Sequence, residues 1–212
     1  GLVSIHRSES PNTAHEKIID GYLKQTLNEM GQKGFKTKSG LKIYTNLNFK
    51  NQKELYKLAN NNREVKFPSN EFQIGASMVN AKNGRVNAML GGRKTDVPFG
   101  LDRAIQTDRS NGSTMKPLMD YGPAIQDLNF PTYQVVHDTP FTYPGTNIQL
   151  KDFDNKHEGN ITMRRALVES RNIPAIRTLQ QVGIPAATQF MSKLGLHFKQ
   201  KPQLQNGIGG YI

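Results

Sequence analysis

The chain has 212 residues and a formal charge of +11, which results from 28 Lys and Arg against 17 Asp and Glu. This length fits one domain, or one domain with a smaller companion, and 35% hydrophobic residues suffice for a packed core. The lack of cysteine excludes disulfides, thiolate catalysis and cysteine-ligated zinc, and no apolar run approaches the ~20 residues of a membrane-spanning helix.

The first part of the chain predicts two helices and a strand. Apolar residues recur at three- and four-residue spacing over 14–30, which predicts a helix that ends at Gly31 and Gly34. Apolar and polar residues alternate over 40–47, which predicts a strand. Residues 50–60 return to helical spacing.

A β-hairpin is predicted next. Two strand-like runs, 72–80 and 85–90, flank Asn83-Gly84, and Asn-Gly between such runs is a strong hairpin signal. A helical pattern follows from Ser113. Residues 130–159 are predicted as mostly loop and turn.

Three short helices are predicted to close the chain. The first begins at Asn160 or Thr162, which are good capping residues, and ends near Glu169. Each of the other two has a proline near its start and a glycine just past its end. These pairs are Pro174 with Gly183, and Pro185 with Gly195.

The pattern Ser-x-x-Lys occurs twice, and its context separates the two copies. Ser39 and Lys42 run into the predicted strand, where an offset of three places side chains on opposite faces. Ser113 and Lys116 begin a predicted helix, where residues i and i+3 are neighbours. Only the second pair is therefore expected to share a proton.

A Ser–Lys pair of this kind suits nucleophilic catalysis. A serine hydroxyl needs a base to take its proton, and lysine serves as that base only if its surroundings favour the neutral amine. A helix N-terminus beneath Ser113 would stabilise an oxyanion, and Gly112 would let a substrate approach closely.

The pattern Ser-x-Asn also occurs twice. Ser10 and Asn12 are most simply a turn, whereas Ser170 and Asn172 lie between two predicted helices. The second pair fits two roles: proton relay and substrate positioning in a cleft, or simple satisfaction of the helix ends.

Gly-Ser-Thr-Met-Lys-Pro at 112–117, followed by Ser-Arg-Asn-Ile-Pro-Ala at 170–175, resembles the transpeptidase domain of class A penicillin-binding proteins. The resemblance covers roughly residues 37–212. Further similar stretches are residues 40–47, 90–93, 143–146 and 159–162.

The resemblance implies an α+β fold in which helices flank an antiparallel sheet beside a helical subdomain. It implies a linker region at residues 1–70 and the N-terminal part of the transpeptidase domain at 71–212. In that family, the region before the hairpin joins a membrane-anchored glycosyltransferase domain. The implied location is the outer face of the bacterial cytoplasmic membrane.

The resemblance also implies the chemistry of the site. Ser113 would be the acylated nucleophile and Lys116 its general base, while Ser170 and Asn172 would assist proton transfer and substrate positioning. The implied substrate-binding residues are Gly112, Thr114 and Asn172. The implied reaction cross-links peptidoglycan stem peptides that end in D-Ala-D-Ala, and β-lactams would acylate the same serine. No metal or organic cofactor is implied.

One departure from the family pattern concerns the third motif. A strand with Lys-Thr-Gly or Lys-Ser-Gly does not follow the second motif before Ile212. Because the chain also begins at Gly1 rather than Met, we expect it to be a piece of a longer protein. We expect a continuation, or a second chain, to supply the missing strand.

Other functions are less well supported by the residues. The basic charge is spread along the chain without a run of five like charges, so a nucleic-acid partner is not expected, although a basic module for an anionic polymer stays an alternative. A β-lactam sensor or serine β-lactamase is the alternative within the same superfamily. The five histidines lack metal-ligand spacing, and Asp152 with Asp154 offers too few oxygens for a calcium loop.

Overall fold

A computed structural model of the chain describes residues 14–36, 40–95, 97–106 and 109–210. The chain divides into two compact units, residues 1–107 and 108–212. Helices and antiparallel strand pairs occur in both units, which confirms the predicted α+β class. The boundary expected between residues 70 and 71 concerns the relation to the family and stays a prediction. No helix within the described ranges has the length and apolar character needed to cross a bilayer.

Among its described residues, the first unit contains the two helices predicted from the spacing of apolar residues and the hairpin predicted from Asn83-Gly84. The strands pair antiparallel, with Ala76 opposite Leu90, and the Asn-Gly turn lies between them. The elements are α1 (Ala14–Gln32), α2 (Phe49–Asn60), β1 (Ala76–Val79) and β2 (Val86–Leu90).

The strand predicted over residues 40–47 is wrong. These residues are all described, and they join no strand. The Asn87 side chain in β2 donates to the carbonyl of Asn46 at 2.9 Å, and a backbone hydrogen bond from Asn48 N–H to the carbonyl of Asn87 at 2.8 Å follows just after the segment. Alternation alone does not form a strand, because a ladder of such bonds with a neighbouring strand is needed.

Two buried polar side chains organise the first unit. The amide of Gln52 bonds both the N–H and the carbonyl of Met89, each at 2.8 Å, and also the carbonyl of Ile18 at 2.6 Å. Arg93 is fully buried, and its Nε donates to the carbonyl of Ala59 at 2.8 Å. These bonds satisfy backbone groups that would otherwise be buried without partners.

The second unit has more and shorter elements. They are a 3₁₀ turn (Gly112–Met115), a π-helical turn (Lys116–Tyr121), α3 (Gly122–Asp127), β3 (Val135–Asp138), β4 (Phe141–Thr142), β5 (Gln149–Leu150), β6 (Gly159–Thr162), α4 (Met163–Val168), α5 (Asn172–Val182), α6 (Ile184–Lys193) and a second 3₁₀ turn (Leu204–Ile208).

The closing helices agree with the predicted signals. Thr162 caps α4 by accepting a hydrogen bond from the N–H of Arg165 at 3.2 Å, and Gly183 follows α5 with a φ of +84°. The prediction of mostly loop over residues 130–159 missed short strands. β3 pairs with β6 in an antiparallel ladder. Strands of two to four residues are too short for alternation to reveal them.

The core of the second unit is built around α5. The buried side chain of Leu179 packs with Met115 and Met119 from the segment that begins at Gly112, and with Met191 from α6. This packing fixes the start of α5, where Asn172 lies, relative to the helical turns that carry Ser113 and Lys116.

Candidate active site

The segment that carries Ser113 and Lys116 begins at Gly112, whose φ of +53° lies in the left-handed region that glycine adopts easily. A 3₁₀ turn follows, in which residues three apart lie one above the other. Lys116 therefore follows Ser113 by one turn, as the first residue of the π-helical turn. Ser113 is exposed, whereas Lys116 is fully buried.

The ammonium of Lys116 lies among acceptors from both motifs. Its Nζ is 3.0 Å from Ser113 Oγ, 2.8 Å from Asn172 Oδ1 and 3.1 Å from Ser170 Oγ. It also donates to the backbone carbonyl of Ser170 at 2.6 Å. The structure thus brings together Ser113, Lys116, Ser170 and Asn172.

Burial lowers the pKa of Lys116 below its ordinary value, because the charged form loses its hydration. The negative charges of Asp120 and Asp152 act in the opposite direction and favour the ammonium. The net direction is towards the neutral amine, which is the form that accepts a proton.

Ser170 and Asn172 face Lys116 from a tight turn between α4 and α5. Ser170 has a φ of +53°, a conformation that residues with a side chain rarely adopt. The amide nitrogen of Asn172 donates to the carbonyl of Lys151 at 2.9 Å, so both ends of this side chain have partners away from the helix end.

The alternative that Ser170 and Asn172 only satisfy helix ends does not agree with these contacts. The N-terminus of α5 is instead capped from a distant loop by Asp152. Its Oδ1 accepts hydrogen bonds from the N–H groups of Asn172 and Ile173, the latter at 3.3 Å.

The remaining predicted residues are placed differently. Thr114 is exposed, and its hydroxyl donates to the carbonyl of Asn111 at 2.7 Å, within its own turn. Gly112 directly precedes Ser113 and contributes its backbone conformation, with a φ of +53°. Ser39, from the other Ser-x-x-Lys pattern, lies outside the described residues, as do Ser10 and Asn12.

Sequence reasoning missed a buried ionic cluster behind the Ser170–Asn172 turn. Its centre is Arg171, which is 1% exposed and pairs with Asp138 and Asp154. Asp152, which also caps α5, lies 3.4 Å from the guanidinium. The only signals in the sequence are the arginine within Ser-Arg-Asn and the charged loop at 151–158, neither of which predicts the pairing.

The same cluster contains the one group of possible metal ligands found among the described residues. Side-chain atoms of Asp138, Asp152 and His157 lie within 4.8 Å of one another. The Arg171 guanidinium, 2.7 Å from Asp138 Oδ2, already supplies a cation there. The contacts therefore favour an arginine–carboxylate cluster over a metal site.

Asp120 is a second buried carboxyl near the site, four residues after Lys116. It is fully buried, and its two oxygens have no hydrogen-bond partner among the described residues. Loss of hydration raises the pKa of Asp120 well above its usual range, and the charge of Lys116 opposes this shift. The side chain lies against Gly207, where an added Cβ would come within 2.4 Å of Asp120 Oδ1.

The site thus places a buried lysine beside an exposed serine, with Ser170 and Asn172 facing the lysine from a second turn. Residues 74–212 match the family described as the penicillin binding protein transpeptidase domain. The chain belongs to this family.

Comparison with known proteins narrows the relationship to class A penicillin-binding proteins. The chain is 36% identical to penicillin-binding protein 1A of Streptococcus oralis over 203 residues, which are 93% of the chain and 31% of that protein. It is 39% identical to penicillin-binding protein 1A of Streptococcus pneumoniae over 185 residues, 85% of the chain and 26% of that protein. The chain thus spans less than a third of the length of these relatives.

A solved structure shares the fold. The PonA1 protein of Mycobacterium tuberculosis in complex with penicillin V superposes with a TM-score of 0.63 at 19% identity, covering 96% of this chain and 55% of that one.

Proposed function

We propose that this chain carries the acylation centre of a peptidoglycan D,D-transpeptidase, with Ser113 as the nucleophile and Lys116 as its general base. The observation that supports this most is the 3.0 Å separation between Ser113 Oγ and the buried Nζ of Lys116. Membership of the penicillin-binding protein transpeptidase family supports the same reaction class.

The neutral amine of Lys116 has two N–H donors and one lone pair. Its donors suit the Ser170 carbonyl and Asn172 Oδ1, at 2.6 and 2.8 Å, and this leaves the lone pair for the hydroxyl proton of Ser113. The acceptors on the second motif therefore orient the base as well as holding it.

In the acylation step, Ser113 Oγ bonds to the carbonyl carbon of the penultimate D-Ala while its proton moves to Lys116 Nζ. Collapse of the tetrahedral intermediate breaks the peptide C–N bond. The departing amine of D-Ala takes a proton from Lys116 through the hydroxyl of Ser170, which is 3.1 Å from Nζ. Asn172, through its amide, positions the substrate.

In the transfer step, an amine of a neighbouring stem peptide attacks the acyl-serine ester. Its surplus proton returns through Lys116, and the Ser113 oxygen leaves with a proton, so the enzyme is regenerated. A β-lactam follows the first step only, because its ring opens without releasing the amine fragment that would make room for the acceptor.

Several wider features belong to this proposal. A Lys-Thr-Gly or Lys-Ser-Gly strand, from elsewhere in the protein or from a second chain, would complete the site with an oxyanion donor and a contact to the substrate carboxylate. Gly112 and Thr114 would line the substrate path. The location is the outer face of the bacterial cytoplasmic membrane, with residues 1–70 as a linker.

The test is covalent labelling of the intact protein with a fluorescent penicillin, followed by peptide mapping. The label is expected on Ser113 and is expected to be lost in Ser113→Ala. Ser39→Ala is the matched control, since it removes the serine of the other Ser-x-x-Lys pattern, and labelling should persist. Labelling that survives Ser113→Ala would refute the assignment.

The same assay separates the alternatives. Rapid loss of the label with turnover of penicillin would indicate a β-lactamase. Steep salt-dependent binding of an anionic polymer without any label would indicate a basic binding module.

A further inference from the structure

Ser170 and Asn172, which both contact Lys116, lie on a turn that contains an unfavourable backbone conformation. Ser170 adopts a φ of +53° between α4 and α5, and a side-chain-bearing residue is held there only by its surroundings. Arg171 follows it directly and is 1% exposed, so the turn sends one side chain into the protein beside the two that face the base.

Each nitrogen of the Arg171 guanidinium has a partner on another element. Nε donates to Asp138 Oδ2 at 2.9 Å, at the end of β3. Nη1 donates to both carboxylate oxygens of Asp154 at 3.0 Å, and Nη2 donates to the carbonyl of Lys156 at 2.5 Å. These contacts anchor the turn to a strand and to a loop at once, with the planar fork that arginine provides and lysine does not.

The cluster also reaches Asn172 from the other side. Asp152 lies 3.4 Å from Nη2, and its Oδ1 accepts hydrogen bonds from the N–H groups of Asn172 and Ile173. Asn172 in turn accepts from Lys116 Nζ at 2.8 Å and donates to the carbonyl of Lys151 at 2.9 Å. A chain of direct contacts therefore connects the guanidinium with the base.

The charges around Arg171 are consistent with a role in holding the Ser170–Asn172 turn in place. Three carboxylates surround one arginine, and burial, together with the hydrogen bond shared with Asp138, raises the pKa of Asp152. The Arg171 guanidinium offsets part of the negative charge of these carboxylates.

We propose that Arg171 is a positioning residue of the acylation site: its guanidinium, acting through Asp138, Asp152 and Asp154, holds Ser170 and Asn172 within hydrogen-bond distance of Lys116. This rests on the proposed function. Removing the guanidinium slows acylation because the base loses its orientation, and displacements of about 1 Å cost on the order of 100-fold in rate.

The test compares acylation of Ser113 by a fluorescent penicillin in variants of the intact protein. Arg171→Met is expected to slow acylation about 100-fold, and Arg171→Lys is expected to restore part of the rate because it keeps the charge. The matched control is Arg177→Met. Arg177 lies on the same helix and bonds Thr139, but none of its described contacts reaches the Ser170–Asn172 turn.

A double-mutant cycle with Asn172→Ala separates positioning from general stability. Because Arg171 is proposed to act through Asn172 as well as Ser170, Arg171→Met is expected to cost clearly less further rate in the Asn172→Ala background than it costs alone. Multiplicative losses would overturn the proposal, as would a rate for Arg171→Met within threefold of the parent or an equal loss in Arg177→Met.

Arg171→Met leaves the buried carboxylates of Asp138 and Asp152 without their cation. A gentler variant therefore keeps the question answerable if that protein does not fold. Asp154→Asn removes the partner that is more exposed, 28% against 0% for Asp138. It is expected to slow acylation severalfold, and an unchanged rate would overturn the proposal. If the parent protein takes no label, or Ser113→Ala still takes it, the proposed function fails instead.

Discussion

Replacing Lys116 with methionine is the most informative perturbation of the site. Methionine keeps an unbranched chain in a fully buried position, but it removes the nitrogen that lies 3.0 Å from Ser113 Oγ. The hydroxyl then has no amine to receive its proton, while the packing of the stem is largely retained.

The expected loss follows from the role of a general base. Proton transfer by a positioned side chain contributes roughly 10²–10⁴ in rate, which corresponds to about 3–5 kcal/mol at 1.36 kcal/mol for each tenfold change. Lys116→Arg should lose about as much, because arginine keeps the positive charge but does not release its proton. This variant separates base catalysis from a purely electrostatic contribution.

The pH profile supplies an independent signature. Because burial lowers the pKa of Lys116, acylation of the parent protein should rise with pH and level off below the ~10.4 of an exposed lysine. Below the pKa of Lys116, each decrease of one pH unit reduces the neutral fraction of the amine, and hence the rate of acylation, about tenfold. Lys116→Met should lack this rise.

The assay is the second-order rate constant for labelling by a fluorescent penicillin, measured from pH 5 to 10 on intact protein. Lys193→Met is the matched control, since it makes the same change at an exposed lysine on α6. The assignment of Lys116 as the base would be refuted if Lys116→Met were labelled at a rate within tenfold of the parent and this rate increased with pH in the same way.

Two further predictions concern buried polar side chains: Gln52 beside the hairpin and Asp120 near the site. Gln52→Leu should lower the stability of the first unit by about 1–3 kcal/mol because it leaves the buried peptide groups of Met89 without partners. The expected readout is faster hydrogen exchange at the Met89 amide. Equal exchange in Gln52→Leu and in the exposed control Gln126→Leu would contradict this. Asp120→Asn tests the raised pKa of Asp120. Because the folded parent protein holds the Asp120 proton more tightly than the unfolded chain does, its free energy of unfolding should fall as pH rises above ~4. The fall should be up to about 1.4 kcal/mol for each pH unit until the pKa of the folded state is reached. Thermal unfolding between pH 4 and 7 should show a flatter dependence for Asp120→Asn, and parallel curves for the two proteins would contradict the reasoning.

Local signals predicted much of the architecture. Helical spacing located α1 and α2, the Asn-Gly turn located the hairpin, and prolines and glycines bounded α5 and α6. These features depend on residues close together in the chain, which is why they can be read without a fold. The segment at 40–47 shows the limit, because its alternation predicted a strand while strand formation depends on a partner elsewhere.

The same distinction between local signals and long-range contacts applies to the site. The Ser113–Lys116 spacing and the Ser170–Asn172 pattern were visible in the sequence, since each is set within one turn of backbone. Their meeting was not, because Lys116 Nζ contacts residues 54 and 56 positions away. The packing of Met115 and its neighbours against α5 brings the two patterns together.

What the sequence by itself determined is the type and local order of the reactive groups. What only the tertiary structure decided is their electrostatic state: the burial of Lys116, which lowers its pKa, and the cluster in which Arg171 pairs with carboxylates 17 and 33 residues away. Desolvation and ion pairing depend on the atoms that surround a group in space. Because those atoms come from distant parts of the chain, no local pattern encodes them.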